Sequence, residues 1–290
     1  MNRFRYSLDG NWYKGNTHIH SVLSDGGLDY HQLDGLYSDA GYDFLVFTDH
    51  WKVSTAETLA DLRLLAINGV EIDGKDETGS YFHVVGFGFD ELDLNGSTFT
   101  EALEKLKAKN ALRILAHPHW IGNSLEDAFR HDFHGIEIYN HVCHWLNGKA
   151  DGVFHWDCML KKNPQVLGFS VDDAHIRPEY PLWNGGWIMV NAASLTKASI
   201  LSAIRKGNYY SSQGPEIKHI EAAATQIRVE TSLAKIIRLA GENWYGQRIG
   251  ADDETGITSA DFDISDAKGY LRIELEDFNH RKAWTNALFI

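Results

Sequence analysis

Fifteen of the 290 residues are histidines, and several stand at the end of an apolar run beside an acidic residue. His18 and His20 are two apart. In an extended chain such residues face the same way, so both imidazoles can reach one cation, and Asp25 follows in the turn just beyond. The run 44–48 ends in Asp49-His50, and the run through Val70 ends in Glu71. A carboxylate in that position must be exposed, paired or liganded, because burying it bare is costly; Glu71 has two oxygens with which to bridge two ions. His83 lies inside the apolar run 81–87. In Leu115-Ala-His117-Pro-His119 the proline stops the strand and holds His117 at a fixed end. Asp173 and His175 repeat the two-residue spacing. Singly, each feature has an ordinary reading: hydrogen-bonded surface histidines, a strand-end ion pair, a core histidine. As a set they deliver His, Asp or Glu at successive strand ends, and that pattern predicts a multinuclear metal site.

The elements that must position these residues are short apolar runs alternating with helical segments. Candidate strands are 12–18, 43–48, 65–71, 81–87, 113–117, 135–139 and 166–171, mostly near-continuous apolar runs of the kind buried on both faces. Between them, 30–40 reads as a helix stopped by Gly41, and Thr98 with Glu101 forms a capping box ahead of 102–110. Ser124 with Asp127 repeats that box more weakly, and 197–206 gives a further helix before Gly207. The alternation predicts an α/β fold with a parallel sheet, and the strand count suggests a closed or nearly closed barrel whose strand ends meet at one rim. After Gly214-Pro215 the character changes to short strands at 227–231, 235–239, 261–264, 270–276 and 284–290. The expected division is a hydrolase-type barrel over 1–215 and a small β-sandwich-like domain over 216–290.

Composition narrows the function. The net charge is −13, from 27 Lys and Arg against 40 Asp and Glu, with no basic stripe; neutralising a nucleic-acid backbone is therefore excluded as an expectation. A small anionic substrate remains open, because bound cations reverse the local field. No run approaches the roughly 20 apolar residues of a membrane span. The N-terminal residues lack an apolar signal-like core, and Cys143 and Cys158 are too few for a disulfide framework. The expectation is a cytoplasmic protein with no membrane partner.

In order along the chain stand HIHSVLSDG, TDH, GVEI, HVVGFG, LAHPH, GIEIYN and VDDAH, spanning residues 16–175 with their neighbours. This series resembles the polymerase-and-histidinol-phosphatase (PHP) superfamily of metal-dependent phosphoesterases. The later GWIMV, AIRKGNYYSSQGP and AWTNALFI look like one branch of it, which includes carbamate hydrolases and carries a C-terminal β extension. The resemblance implies a distorted, TIM-like (β/α)7 barrel holding roughly two to three divalent ions, Mn, Fe or Zn. His18, His20, Glu71 and Asp173 would hold the first ion, Glu71, His83 and His117 the second, and Asp25, His50 and His175 the third. Asp25 stands where some members have His, which hardens the third site towards oxygen-preferring ions. His119-Trp120 replaces the Gly-Arg of members acting on nucleotide phosphates, and Arg177 is a possible substitute clamp, or else a solvated loop arginine.

These readings imply a phosphoesterase for a small phosphorylated metabolite, in which a hydroxide held by the ions attacks phosphorus in line. Glu71, Asp173 and His175 would serve catalysis, with Asp173 or a rim histidine shuttling a proton, and Arg177, His119 and Asn140 would contact substrate. Glu137 would line the rim or partner a ligand histidine. Two alternatives stand beside this: hydrolysis of a carboxyl ester or carbamate at the same site, and a non-catalytic, metal-stabilised binding protein.

Overall fold

A computed structural model describes residues 4, 6–55, 57–251, 253 and 255–288. The first stretch runs β1 (Asn11–Asn16), α1 (Tyr30–Asp39), β2 (Phe44–Phe47), β3 (Leu65–Lys75), β4 (Tyr81–Phe87) and α2 (Phe99–Ala108). It continues with β5 (Leu112–Leu115), α3 (Pro118–Ile121), α4 (Leu125–Ala128), β6 (Gly135–Asn140), α5 (His141–Asn147), α6 (Val153–Lys162) and β7 (Leu167–Val171). Then come β8 (Trp187–Ala192), α7 (Lys197–Arg205) and β9 (Tyr209–Ser212). The remainder is β10 (Ile217–Ala222), β11 (Gln226–Ala234), β12 (Ile236–Gly241), β13 (Gly246–Gly250), β14 (Ile257–Asp263), β15 (Leu271–Glu276) and β16 (Lys282–Thr285). The expected strand 284–290 thus ends at Thr285, and Phe289 and Ile290 lie outside the described residues.

Thirteen strands form one sheet in the order β13-β12-β15-β16-β9-β8-β1-β2-β3-β4-β5-β6-β7. The pairs β1–β2, β2–β3, β5–β6 and β6–β7 are parallel, as the alternation predicts. The expectation of a parallel sheet throughout is corrected at β4, which is antiparallel to both β3 and β5. The reason is chain length: only residues 76–80 join β3 to β4, far too few for the crossover of a dozen or more that a parallel pair requires. There the chain turns back, with the Asp76 amide bonded to the Ser80 carbonyl at 3.0 Å. The strand ladder stays open. At its site end, however, the segments leaving β1 and β7 meet through a parallel bridge between Ile19 and Ala174. Lower down, the Ser170 amide donates to Ser211 Oγ at 3.0 Å, tying β7 to β9.

The apolar runs explain the layers. Every residue of β2, β5, β6 and β7 is buried, so these strands are covered on both faces. Phe44 and Val46 join the core that includes Ile200 and Ile204 of α7, whereas Leu45 and Phe47 pack with Leu33 and Tyr37 of α1. Helix α1 starts at a capping box of Asp29 and Gln32, and α2 at the Thr98–Glu101 box. In the C-terminal part β10, β11 and β14 form a second, three-stranded sheet. Its Ile220, Val229 and Phe262 share a core with Ile237, Leu239, Ile273 and Leu275 of the large sheet. The C-terminal strands enter that large sheet directly, through β16 paired with β9. The buried Arg272 adds a bidentate pair with Asp157 of α6, at 2.9 and 3.0 Å. No helix of the described residues is long and apolar enough to cross a membrane.

Candidate metal centre

The segments that follow β1, β2, β5 and β7, with Glu71 of β3 and His83 of β4, bring all nine sequence-singled residues into one cluster. His18 and His20 leave β1 in extended backbone, straddling Ile19, whose amide bonds Thr48 Oγ1 at 3.0 Å. Their Nε2 atoms stand 3.1 Å apart. Glu71 Oε2 lies 3.0 Å from His18 Nε2 and 3.1 Å from His20 Nε2. Asp173 Oδ1 lies 3.3 and 3.1 Å from the same two atoms. The other oxygen of Glu71 faces His83 Nδ1 at 2.7 Å and His117 Nε2 at 3.2 Å, so the carboxylate faces two ways, as a bridge would. A third group gathers Asp25, His50 and His175 around the far side of His20. His175 Nε2 is 3.2 Å from Asp25 Oδ2.

Two groupings differ from the expected sets. His20 belongs to the third group as well as the first, and His50 sits with Glu71 and His83, with ligand atoms within 4.8 Å of one another.

The donor set can be tested for a cation without assuming one. His18 Nδ1 contacts Glu137 Oε1 at 2.6 Å, which puts the ring proton there and leaves Nε2 a bare lone pair. That lone pair faces two carboxylate oxygens and His20 Nε2, so neutral His18 has no proton to donate to any of them. His175 repeats the arrangement: Nδ1 is bonded to the Asp173 carbonyl at 2.9 Å, so Nε2 confronts Asp25 as acceptor to acceptor. Nδ1 of His20, of His50 and of His117 are buried without a hydrogen-bond partner. Ligands about 2.1 Å from a metal in neighbouring octahedral positions stand about 3 Å apart, which is the spacing found around His18. Divalent cations fit.

The field agrees. Burial opposes charge on His18, yet Asp173, Glu71 and Glu137 overcome it and raise its pKa well above the ordinary value. His20 is raised to about 9, against burial, by Asp173 and Glu71. Glu71, although buried, is held well below the carboxylate range by His18, His117 and His20. The cluster is a concentration of negative charge that draws cations.

The backbone here is strained. Trp51, His117, Asp173 and Ile176 are non-glycine residues with φ of 56°, 27°, 55° and 47°. Such conformations persist where surrounding structure over-determines them, typically at functional sites. One such support is Asp49, fully buried, whose carboxylate accepts from the Ser21 amide and hydroxyl, the Ser24 amide and hydroxyl, and Tyr30 Oη. It ties down the turn that carries Asp25.

Other expected site residues fall differently. Asn140 was expected to contact substrate. It is fully buried, its Nδ2 donating to Glu137 at 2.9 Å and Asp173 at 3.1 Å and its Oδ1 capping α5 through the Cys143 amide. Both ends of the amide are committed to these partners. His119 is exposed on α3. Arg177 is half-buried, donating to Tyr180 Oη at 3.1 Å, and Tyr180 lies edge-on to His175 with ring centroids 5.7 Å apart. Glu137 resolves as a histidine partner: besides His18 it accepts from the His117 amide at 2.9 Å. The sequence reading passed over Asp73, which faces His50 Nδ1 at 3.4 Å. Its place two residues beyond Glu71 on the same strand was the available signal.

No family model and no curated protein matches the sequence. Among solved structures, the chain is similar to a two-domain protein from Bacteroides vulgatus containing a predicted PHP-like metal-dependent phosphoesterase. The identity is 16%, with a TM-score of 0.59 over 96% of this chain and 94% of that one. Shorter matches, each with a TM-score of 0.42, are an amidohydrolase from Chromobacterium violaceum (16% identity, 56% of this chain, 87% of that one) and a proposed metal-dependent phosphoesterase from Bifidobacterium adolescentis (12%, 59% and 91%). The first likeness shows the class of fold: a mixed α/β architecture shared along nearly the whole chain with a two-domain PHP-like protein.

Proposed function

We propose that the protein is a PHP-type metal-dependent phosphoesterase that cleaves a small phosphorylated metabolite. The observation that carries the reading is the convergence of imidazole and carboxylate groups about Glu71, with one oxygen towards His18 and His20 and the other towards His83 and His117. We read the strands from β1 to β7 as its distorted barrel and their site ends as the rim. His18, His20, Glu71 and Asp173 would hold one ion. Glu71, His83 and His117, with His50 near by, would hold a second, and Asp25, His50 and His175 a third. Divalent Mn, Fe or Zn bound there would lower the pKa of a coordinated water and neutralise charge on the phosphoryl oxygens.

The chain's own residues do the rest. Glu137 and Asn140 fix the rings and carboxylates beneath the site, and the fully buried strands β2 and β7 shield it from below. Asp25, whose side chain is 41% exposed, and His175 beside it are the groups through which a proton can pass to solvent. Arg177, next to that pair, is the cation available to a phosphoryl oxygen. Cations are otherwise scarce at the cluster, since its carboxylates pair with histidines alone among the described residues. That scarcity favours, as a second reading, attack on a carboxyl ester or carbamate carbon.

A hydrolysis screen separates the two. Metal-loaded protein should cleave p-nitrophenyl phosphate and leave p-nitrophenyl acetate largely untouched, and chelation should abolish the activity. Cleavage of the acetate alone transfers the assignment to carbon esters, and cleavage of neither overturns both readings.

A further inference from the structure

On the side of the cluster formed by His50, His83 and His117 the chain places aromatic side chains. Trp120 follows the ligand His117 within one turn of α3 and stands edge-on to two ligand rings, with centroids 5.3 Å from His117 and 6.2 Å from His83. It leaves 37% of its surface open, although an indole gains by burial. Tyr81 lies 5.6 Å from His83, ring to ring, and donates its hydroxyl to Asp73 Oδ2 at 2.7 Å. Trp51 follows the ligand His50 and donates its indole N–H to the other oxygen of Asp73 at 2.9 Å. Its left-handed backbone, φ 56°, is held by its amide bonded to the Glu71 carbonyl at 2.9 Å. A non-glycine residue in that region is strained, so the position of Trp51 is maintained against strain. One carboxylate therefore fixes two rings flanking His50 and His83, and Trp120 supplies a third.

We propose that Trp51, Tyr81 and Trp120 form a wall that receives the alcohol portion of the substrate, so that the site takes phosphomonoesters of flat, aromatic alcohols in preference to alkyl or polyanionic ones. The inference rests on the phosphoesterase reading above. Its physical content is twofold. A flat apolar group lying against an exposed ring gains stabilisation beyond that of the area it buries. A substrate carrying further phosphates would be repelled at this face by Glu71 and Asp73, whose ion pairs among the described residues are with histidines alone.

The test uses phosphonates, which cannot be hydrolysed and so remove the reactivity of the leaving group from the comparison. With metal-loaded full-length protein, titration calorimetry gives the Kd of phenylphosphonate and of methylphosphonate. The wild type should bind the phenyl compound about tenfold more tightly, a difference of about 1.4 kcal/mol. Trp120→Ala should reduce that ratio to about two, and Trp120→Phe should retain most of it. Because the readout is a ratio within one protein, a general loss of metal or stability does not imitate it. Equal affinities in the wild type, or an unchanged ratio in Trp120→Ala, overturn the wall. Where p-nitrophenyl phosphate is still hydrolysed, that result leaves the phosphoesterase reading standing. Absence of both hydrolysis and phosphonate binding overturns both.

Discussion

Glu137 sets the orientation of two proposed ligands at once, taking the His18 ring proton on one oxygen and the His117 backbone amide on the other. Carboxylates in this position fix the tautomer and raise the basicity of the ligating histidine. Glu137→Gln keeps the size but weakens the acceptor, so metal affinity should fall about 10- to 100-fold, read by calorimetry with Mn or Zn. A change smaller than about twofold would remove Glu137 from the site's support. At this scale the sequence was informative about ligand types, because His, Asp and Glu at strand ends have few other uses as a set. It was silent on direction. Asn140 looked like a rim residue, yet it turns inward to cap α5, and Asp73 gains its importance from Tyr81, brought by the pairing of β3 with β4, and from Trp51, brought by the bridge of His50 to Glu71.

The end of β2 shows how an element carries a site. His50 faces the cluster while its neighbour Asp49 turns the other way, fastening residues 21–24 and Tyr30 to the strand. This turns Ser21 and Ser24 inward and leaves Val22 and Leu23 at the surface, an inversion of the usual order. Asp49→Ala would strand several buried donors at about 1–3 kcal/mol each. The expected result is a melting temperature lowered by at least about 5 °C, with fewer ions bound per chain because Asp25 loses its anchor. Unchanged metal content would show that the turn holds its form without Asp49. The strands were legible here because both of their faces are apolar. The strand 81–87 was read but its antiparallel direction was not, although its five-residue connection to β3 was in view. Helix α6 was also missed, despite Val153, Trp156 and Leu160 at helical spacing, because histidine and lysine interrupt the apolar pattern.

Across the whole molecule the C-terminal strands are continuous with the sheet that carries the site, and Arg272 locks them to α6 from within. The change in character after Pro215 was visible in the sequence, whereas the shared sheet was not, since pairing of β16 with β9 spans about seventy residues of chain. Stability should respond to pH through His134, far from the cluster. Burial, with the charges of Arg113 and Arg205, lowers its pKa from 6.5 to about 4, so the folded protein keeps it neutral. The unfolded chain binds the proton first as pH falls. His134 therefore contributes stability above about pH 6.5, and that contribution is lost between about 6.5 and about 4. Chelator-treated wild type should lose stability across this window more steeply than chelator-treated His134→Gln, in denaturant melts taken at intervals of pH. Parallel slopes would contradict the assignment.

The central claim is that converging His, Asp and Glu donors hold catalytic metal. It is tested most directly by counting ions and assaying p-nitrophenyl phosphate hydrolysis on the same samples of wild type and His117→Ala. The account predicts about two to three divalent ions per wild-type chain, with hydrolysis that chelation removes. It predicts fewer ions in the variant and activity reduced by about 100-fold or more. A wild-type protein that binds no metal, or a variant that keeps both its ions and its rate, would contradict it.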